Sequence, residues 1–208
     1  MWDLPVVKLG NKKARRLADL TGIYMDLSFT IDACKLLMEL VDHRRETDRD
    51  GLLREALWSS ALVAYARAFA PGRRYGLGEG VFSKLESNYL TAHRLFISLR
   101  NKHVAHSVNP FEQAEVGLAL SEEGVAERKV EAIVVFAIRL ANLNKPAVID
   151  LHNLAATLRN EVGRLAEGAK DGALEDAKAV PADDLYRAPR LQVRVPHVGD
   201  VKKVDSAR

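Results

Sequence analysis

The sequence predicts a mainly α-helical protein: an antiparallel helical bundle with a small two-stranded β-ribbon and an extended C-terminal tail. Three observations predict this fold. Apolar residues recur at spacings of three and four over several long segments, Pro and Gly mark the ends of those segments, and two short apolar runs precede the last one. With 208 residues, 48% of them hydrophobic, the chain can bury a core without metals or disulfides.

The first two predicted helices carry most of this periodicity. One begins near Asp26 or Ser28, since either residue is a suitable N-cap, and runs to about Glu46. Its apolar positions are Ile31, Cys34, Leu37, Met38, Leu40 and Val41. A second helix spans residues 52–70 and ends at a Pro-Gly pair, which is a strong stop signal.

A glycine-rich segment, residues 73–80, separates the second helix from the third. It lacks the Lys-Ser/Thr ending of a phosphate-binding P-loop, and no predicted strand precedes it, so we interpret it as a flexible loop. The third helix collects apolar residues from Phe82 to Leu99 and leads directly into a polar segment, residues 100–107. The following Asn109-Pro110 pair ends it.

After this helix the hydrophobicity pattern changes from helical periodicity to short apolar runs, which predict a ribbon within residues 114–140. The first run is 116–120, a turn-like break follows at 121–124, and the second run is 132–138, which fits the start of a helix equally well. Asn144, followed by Lys-Pro, resembles a helix cap with an early helical proline. The last helix should therefore run from there to about Gly168.

These elements divide the chain into three parts. Residues 1–25 form a basic N-terminal arm, residues 26–178 form the helical domain with its ribbon, and residues 179–208 form an extended or disordered tail. The first twenty residues hold five basic and two acidic side chains. A solvated arm is the simplest explanation, and an arm that attracts phosphates is the alternative.

Composition excludes several classes of protein. The net charge of +3 is too small to indicate nucleic-acid binding by itself. Cys34 is the only cysteine, so an internal disulfide is excluded, and no Cys/His spacing fits zinc. Residues 1–5 do not resemble a signal peptide, and no apolar run is long enough for a membrane span. We expect a cytoplasmic protein with no membrane association.

One polar cluster could carry chemistry, at the predicted end of the third helix. It contains Arg100, Asn101, Lys102, His103 and His106. A guanidinium can hold two phosphate oxygens and stays charged, whereas an imidazole titrates near neutrality and can accept or donate a proton. An amide can position an imidazole or a ribose hydroxyl without adding charge. Together these residue types favour binding of a phosphodiester and proton transfer during its cleavage.

Helical geometry limits this hypothesis. At about 100° per residue, Arg100 and His106 would lie about 240° apart around an unbroken α-helix and point to different faces. Two arrangements resolve this. Either the helix breaks before His106, or two copies of the segment face one another across a two-fold axis and share a cleft.

The string Leu99-Arg100-Asn101-Lys102-His103-Val104-Ala105-His106-Ser107, at the end of an apolar helix, resembles the R-polar-x4–6-H motif of the HEPN superfamily of helical RNases. The resemblance implies a bundle of HEPN type and metal-independent RNA cleavage, in which the 2′-OH attacks its own phosphate. It assigns acid–base work to His106, the scissile phosphate to Arg100, and positioning to Asn101. DNA would be inert.

Around this motif we expect Lys102 and His103 to contact substrate, with no metal and no cofactor. RNA, a second copy of the chain, and an antitoxin or other protein are the expected partners of a toxin or phage-defence effector. His93 is expected to be structural. The alternative is a non-enzymatic interaction protein, in which Arg100 and His106 hold a helix end or dimer seam.

Overall fold

A computed structural model describes residues 4–42, 48–70, 72, 74–104, 112–122, 124, 129–139, 144–193, 195 and 197–203. The elements in chain order are α1 (Lys12–Asp42), α2 (Asp48–Arg67), a 3₁₀ helix (Glu79–Lys84), α3 (Ser87–Leu99), a π-helical turn (Arg100–Val104), β1 (Glu112–Leu120), β2 (Val130–Arg139), α4 (Lys145–Lys178), α5 (Ala182–Arg187) and a second 3₁₀ helix (Val198–Lys203). The prediction of a mainly helical chain with a two-stranded ribbon is confirmed.

Helix α1 packs against both α2 and α4. Against α2, Thr30 donates to the carbonyl of Ala61 at 3.4 Å, and Arg67 lies 3.4 Å from Asp26. Because the earlier residue of α1 meets the later residue of α2, the two helices are antiparallel.

The other long interface, between α1 and α4, is also antiparallel. Lys13, near the start of α1, donates to Asp176 near the end of α4 at 2.7 Å. Further along α1, the guanidinium carbon of Arg159 lies 5.8 Å from the ring centroid of Tyr24. Since the residue number on α4 falls as that on α1 rises, the helices run in opposite directions.

The hydrophobic core is made by the helices and the loop before α3. Its buried members are Leu20, Ile23, Leu27, Ile31, Ala33, Cys34, Leu37, Trp58, Ala61, Leu62, Tyr65, Ala68, Leu77, Phe82, Phe96, Leu99, Val148, Leu151, Leu154, Ala155, Leu158 and Val162. None of the described ribbon residues belongs to it. Burial raises the pKa of the Cys34 thiol to about 12, so this cysteine stays protonated and unreactive.

The first helix begins at Lys12, so the predicted start near Asp26 or Ser28 is wrong. Asn11 is the actual cap, because its side-chain oxygen accepts the backbone N–H of Ala14 at 2.7 Å. Asp26 is instead buried inside the helix, where it binds guanidinium groups. Residues 12–25, assigned to the arm, are therefore helical.

The last long helix begins where the sequence predicts. Asn144 caps α4 by accepting the backbone N–H of Ala147 at 3.1 Å, and Pro146 lies in the first turn. The helix continues to Lys178 rather than ending near Gly168. Its later turns are held by exposed pairs three residues apart, such as Lys178 with Glu175 at 2.8 Å.

The ribbon is an antiparallel hairpin. The strands pair in register from Glu112 opposite Arg139 to Leu120 opposite Val130, with a register shift after Ala119. In the intervening turn Gly124 has a φ of 103°, a conformation that residues with a Cβ rarely adopt. The second apolar run is thus a strand and not the start of a helix.

The chain segments at the two ends contact each other. Lys8 donates its N–H to the Pro189 carbonyl at 2.8 Å, and Leu191 donates to the Val6 carbonyl at 2.9 Å. Within the predicted tail, α5 has only six residues, too few for periodicity to reveal it. No helix in the part of the chain that the structure describes has the length and apolarity to span a membrane.

Candidate functional site

A groove of about 340 Å³ lies where the end of α2 meets α3 and the π-helical turn. Its walls come from four segments of the chain, and the residues that line it are Ala66, Arg67, Phe69, Ala70, Leu77, Glu79, His93, Ile97, Arg100 and Asn101. The α3 residues recur at spacings of three and four, so one face of that helix continues into the turn and forms one wall. Half of the residues that line the groove are apolar, and three are charged.

Arg100 and Asn101 enter this groove from the π-helical turn. The regular α-helix ends at Leu99, and Arg100 opens the turn. The Arg100 guanidinium donates to the Asn101 side-chain oxygen at 3.0 Å, and both residues line the groove. This bond occupies one of the five guanidinium N–H groups, so donors remain for an anion such as a phosphate.

The end of the α-helix at Leu99 also bears on the predicted 240° separation of Arg100 and His106. That angle applies only to a continuous α-helix. Here the helix changes to a π-helical turn at Arg100–Val104, before His106, so the angle no longer applies. His106 lies outside the described residues. The convergence of its imidazole with Arg100 therefore stays a prediction.

The other two predicted contacts have different outcomes. Lys102 is exposed on the π-helical turn and is not part of the groove lining. His103 belongs to the same turn, and its side chain lies outside the described part of the chain. The structure thus brings together Arg100 and Asn101 and leaves Lys102 beside the groove.

Arg67 is the groove residue that the sequence analysis missed. It is the last residue of α2, its side chain is 60% exposed, and it lines the same groove as Arg100. A weak signal was present, since Arg67 is the only charged residue among the apolar residues 61–70. Sequence separation hides its proximity to Arg100, which only the packing of α2 on α3 creates.

A buried carboxylate holds this corner of the molecule together. Asp26 accepts from Arg74 at 2.8 Å, and the same guanidinium donates to the Arg67 carbonyl at 2.7 Å. The segment predicted to be a flexible loop is thereby attached to α1 and to the end of α2. At Gly76 an added Cβ would lie 2.9 Å from the Ala70 carbonyl oxygen, which explains the need for glycine there.

The acidic member of the groove, Glu79, is neutralised by a neighbour. Arg94 donates to its two oxygens at 2.8 Å and 3.2 Å. These hydrogen bonds lower the pKa of the Glu79 carboxyl and raise the pKa of the Arg94 guanidinium. Because this carboxylate already has a cationic partner, it does not cancel the charge of Arg100, and Arg67 shares its own carboxylate, Asp26, with Arg74.

His93 forms part of the wall and is structural, as predicted. It is buried among the rings of Tyr65, Phe69 and Phe82, and its Nδ1 lies 2.8 Å from the Tyr65 hydroxyl. Burial lowers the pKa of this imidazole, against a smaller opposing effect from Glu79. His93 is therefore neutral near pH 7 and adds no charge to the groove.

The charge pattern of the groove suits an anion. Its lining combines two guanidiniums, of which Arg67 lies 3.4 Å from Asp26, with one paired carboxylate, a neutral histidine and several apolar side chains. The described residues hold no group of three or more His, Cys, Asp or Glu side chains placed to bind a metal ion. Comparison of the chain with protein-family models, curated proteins and solved structures found no match.

Proposed function

We propose that the protein is a metal-independent endoribonuclease of HEPN type, acting in the cytoplasm as a toxin or phage-defence effector. One observation carries the proposal: Arg100 and Asn101, the first two motif residues, line one groove together with the guanidinium of Arg67. Two cations and an amide oriented by Arg100 form a suitable cradle for a phosphodiester.

In this mechanism the nucleophile belongs to the RNA. The 2′-oxygen forms a bond to the adjacent phosphorus while the bond from phosphorus to the 5′-oxygen breaks, which leaves a cyclic phosphate and a 5′-hydroxyl. His106 takes the proton from the 2′-OH or returns one to the departing oxygen. Arg100 binds the non-bridging oxygens, whose charge grows in the transition state, and Asn101 positions the reacting groups.

Three further residues bind the substrate strand. Arg67 contacts a phosphate from the opposite side of the groove, since it lies on α2 rather than on the motif turn. Lys102, exposed beside the groove, attracts the backbone, and His103 contacts a nucleotide. A homodimer brings a second copy of the motif to the same RNA, and an antitoxin or other protein is the expected restraint on the activity.

The test is cleavage of a labelled RNA by purified protein in EDTA, with product ends identified by mass spectrometry. Wild type should leave 2′,3′-cyclic phosphate ends, and a 2′-deoxy nucleotide at the cleaved position should block the reaction. Arg100→Ala and His106→Ala should each lower the rate at least about 100-fold, the usual size of a lost charge-stabilising donor for Arg100 and of a lost acid–base group for His106. Arg67→Ala should weaken RNA binding more than it lowers the cleavage rate of RNA that is already bound.

Matched controls come from the same chain. Arg187 on α5 and His152 on α4 do not line the groove, so their alanine variants should cleave RNA at the wild-type rate. Circular dichroism should show that all variants keep the fold. If wild type cuts no RNA and the Arg100 and His106 variants melt at far lower temperatures, the residues are structural and the proposal is wrong.

A second function, a non-enzymatic interaction protein, is favoured by the exposed apolar side chains of the ribbon. In that case Arg100 would hold the end of α3, as its bond to Asn101 allows. The RNA experiment separates the two functions, because an interaction protein has no cyclic phosphate product.

A further inference from the structure

The ribbon presents one face that is apolar from Ala114 to Leu120 and across the paired residues of β2. Cross-strand partners share a face, and every second residue along a strand returns to it. Register places the Glu112–Arg139 pair at the open end of the ribbon and, beyond it, groups eight apolar residues on this face, which we call the apolar ribbon face: Ala114, Val116, Leu118, Leu120, Val130, Ile133, Val135 and Ala137. Their six larger side chains are 57–70% exposed.

The opposite face of the ribbon is mixed. It presents Glu115 opposite Phe136, and Gly117 opposite Val134. Exposed apolar residues there are interrupted by polar ones, whereas the apolar ribbon face has no polar side chain. The two faces of the hairpin thus differ in their content of polar side chains, and strand propensity alone does not require this difference.

A two-stranded ribbon is at best marginally stable alone in water and needs further strands or a helix against its apolar side. Among the described residues, no other element makes an extensive contact with β1 or β2. The apolar ribbon face exposes on the order of 400 Å² of side chain, as large as the biggest patch on a typical monomer. An occupant is needed to remove this surface from water.

We propose that the apolar ribbon face is a dimer interface, on which the ribbon of a second copy of this chain stacks face to face. Two stacked ribbons form a four-stranded, two-layer core about 10 Å thick, which meets the requirement for further strands. The patch suits its own copy because its eight residues are uncharged, and the one charged pair that register places on the same face, Glu112 with Arg139, lies at the open end of the ribbon and is of opposite sign.

The surrounding charges argue against a lipid surface. A membrane-binding apolar face is usually bordered by basic residues, whereas the hairpin of residues 112–139 contains six glutamates against three basic residues, Arg128, Lys129 and Arg139. Stacking removes on the order of 800 Å² from the two copies together, about two-thirds of the roughly 1,200 Å² at which the range of stable interfaces begins. The dimer should therefore dissociate at micromolar concentrations.

This interface does not depend on RNA cleavage, and it lies outside the groove. It lies close in the chain, however: the π-helical turn ends at Val104 and β1 begins at Glu112. The seven intervening residues span at most about 25 Å. Stacked ribbons therefore hold the two copies of the motif segment in one particle.

The experiment measures mass by sedimentation and light scattering from roughly 1 to 100 µM, the range set by the expected affinity. Wild type should approach twice the 23.0 kDa chain mass as concentration rises. Ile133→Lys places a charge in the centre of the apolar ribbon face and should weaken dimerisation at least about tenfold. Phe136→Lys is the matched control, since this residue is similarly exposed, three positions away, on the other face.

A covalent test covers the case in which Ile133→Lys unfolds the ribbon. Leu118→Cys should form a disulfide-linked dimer under mild oxidation, and Phe136→Cys should not. Cys34 does not interfere because it is buried. A wild type that stays monomeric at all concentrations, or equal effects of the two lysine variants, would overturn the interface, and vesicle binding by the monomer would assign the face to lipid.

RNA cleavage is recorded in parallel so that the two proposals can fail separately. A monomeric Ile133→Lys protein that still cleaves RNA supports the ribbon interface and removes the need for a dimer in catalysis. A dimeric wild type that cleaves no RNA leaves the interface standing and contradicts the endoribonuclease.

Discussion

The helical core and the ribbon both carry many large apolar side chains, but they differ in burial. Leu154 and Leu158 on α4 are completely inaccessible to solvent, whereas Ile133 and Val135 on β2 are largely exposed. The difference teaches that apolar content alone does not define a core. A side chain is buried only where a second element lies against it.

The difference in burial depends on whether another element of the chain packs against each apolar surface. Helix α4 has one apolar stripe, and α1 lies along it and supplies a matching stripe. The ribbon has two faces and no second layer among the described residues. Burial in the first case is complete within one chain, and in the second it requires a second chain.

The largest test of this comparison substitutes one leucine in each region. Leu158→Ala should lower the free energy of unfolding by about 2–5 kcal/mol, because it leaves a cavity in a packed interior. Leu118→Ala, measured at protein concentrations low enough to keep the chain monomeric, should change it by less than about 0.5 kcal/mol.

Urea denaturation followed by circular dichroism measures both values. A large cost at Leu118 in the monomer would mean that part of the same chain covers the ribbon. The contrast between the regions would then be false.

A second test uses pH, because the core holds a buried titratable group and the apolar ribbon face has none. Burial lowers the pKa of His93 in the folded protein, so the unfolded chain binds more protons below about pH 6.5, the ordinary value of histidine. The unfolding free energy should therefore fall as pH drops from about 7 to about 5, by at most about 1.4 kcal/mol per pH unit.

His93→Gln should flatten this dependence in the urea midpoints, while dimerisation by the ribbon should stay constant over the same range. Midpoints of wild type and His93→Gln that shift in parallel with pH would show that His93 is not buried in its neutral form.

The smallest effect lies at the boundary between the two regions, where the cap of α4 follows the ribbon. Asn144→Ala removes the acceptor of the Ala147 N–H and should cost about 1 kcal/mol of core stability. Asn153→Ala makes the same chemical change in the exposed middle of α4 and should be nearly neutral. Equal costs at the two positions would contradict a capping role.

Local signals in the sequence located many elements correctly. The Asn-Lys-Pro cap of α4, the turn-like break inside the ribbon and the Pro-Gly stop after α2 depend on residues that are neighbours in the chain. Such signals act within a few positions, so the sequence displays them directly.

The error at α1 shows where local signals mislead. Asp26 is a good cap residue by type, but here it is an internal anchor for Arg74, far away in the chain. The apolar residues Leu20 and Ile23 continue the same spacing upstream, and Asn11 supplies the cap. From the sequence alone, an aspartate that caps a helix cannot be distinguished from an aspartate inside a helix that pairs with a distant arginine.

By itself the sequence determined the helical class and the polar cluster at the end of α3, and it located the ribbon while leaving its second run open between strand and helix, because periodicity and residue chemistry are properties of short segments. Tertiary structure alone decided that Arg67 meets Arg100 in one groove, that His93 is buried and neutral, and that the apolar ribbon face is uncovered. These outcomes depend on which surfaces meet across long stretches of chain, and burial and charge pairing arise only at such meetings.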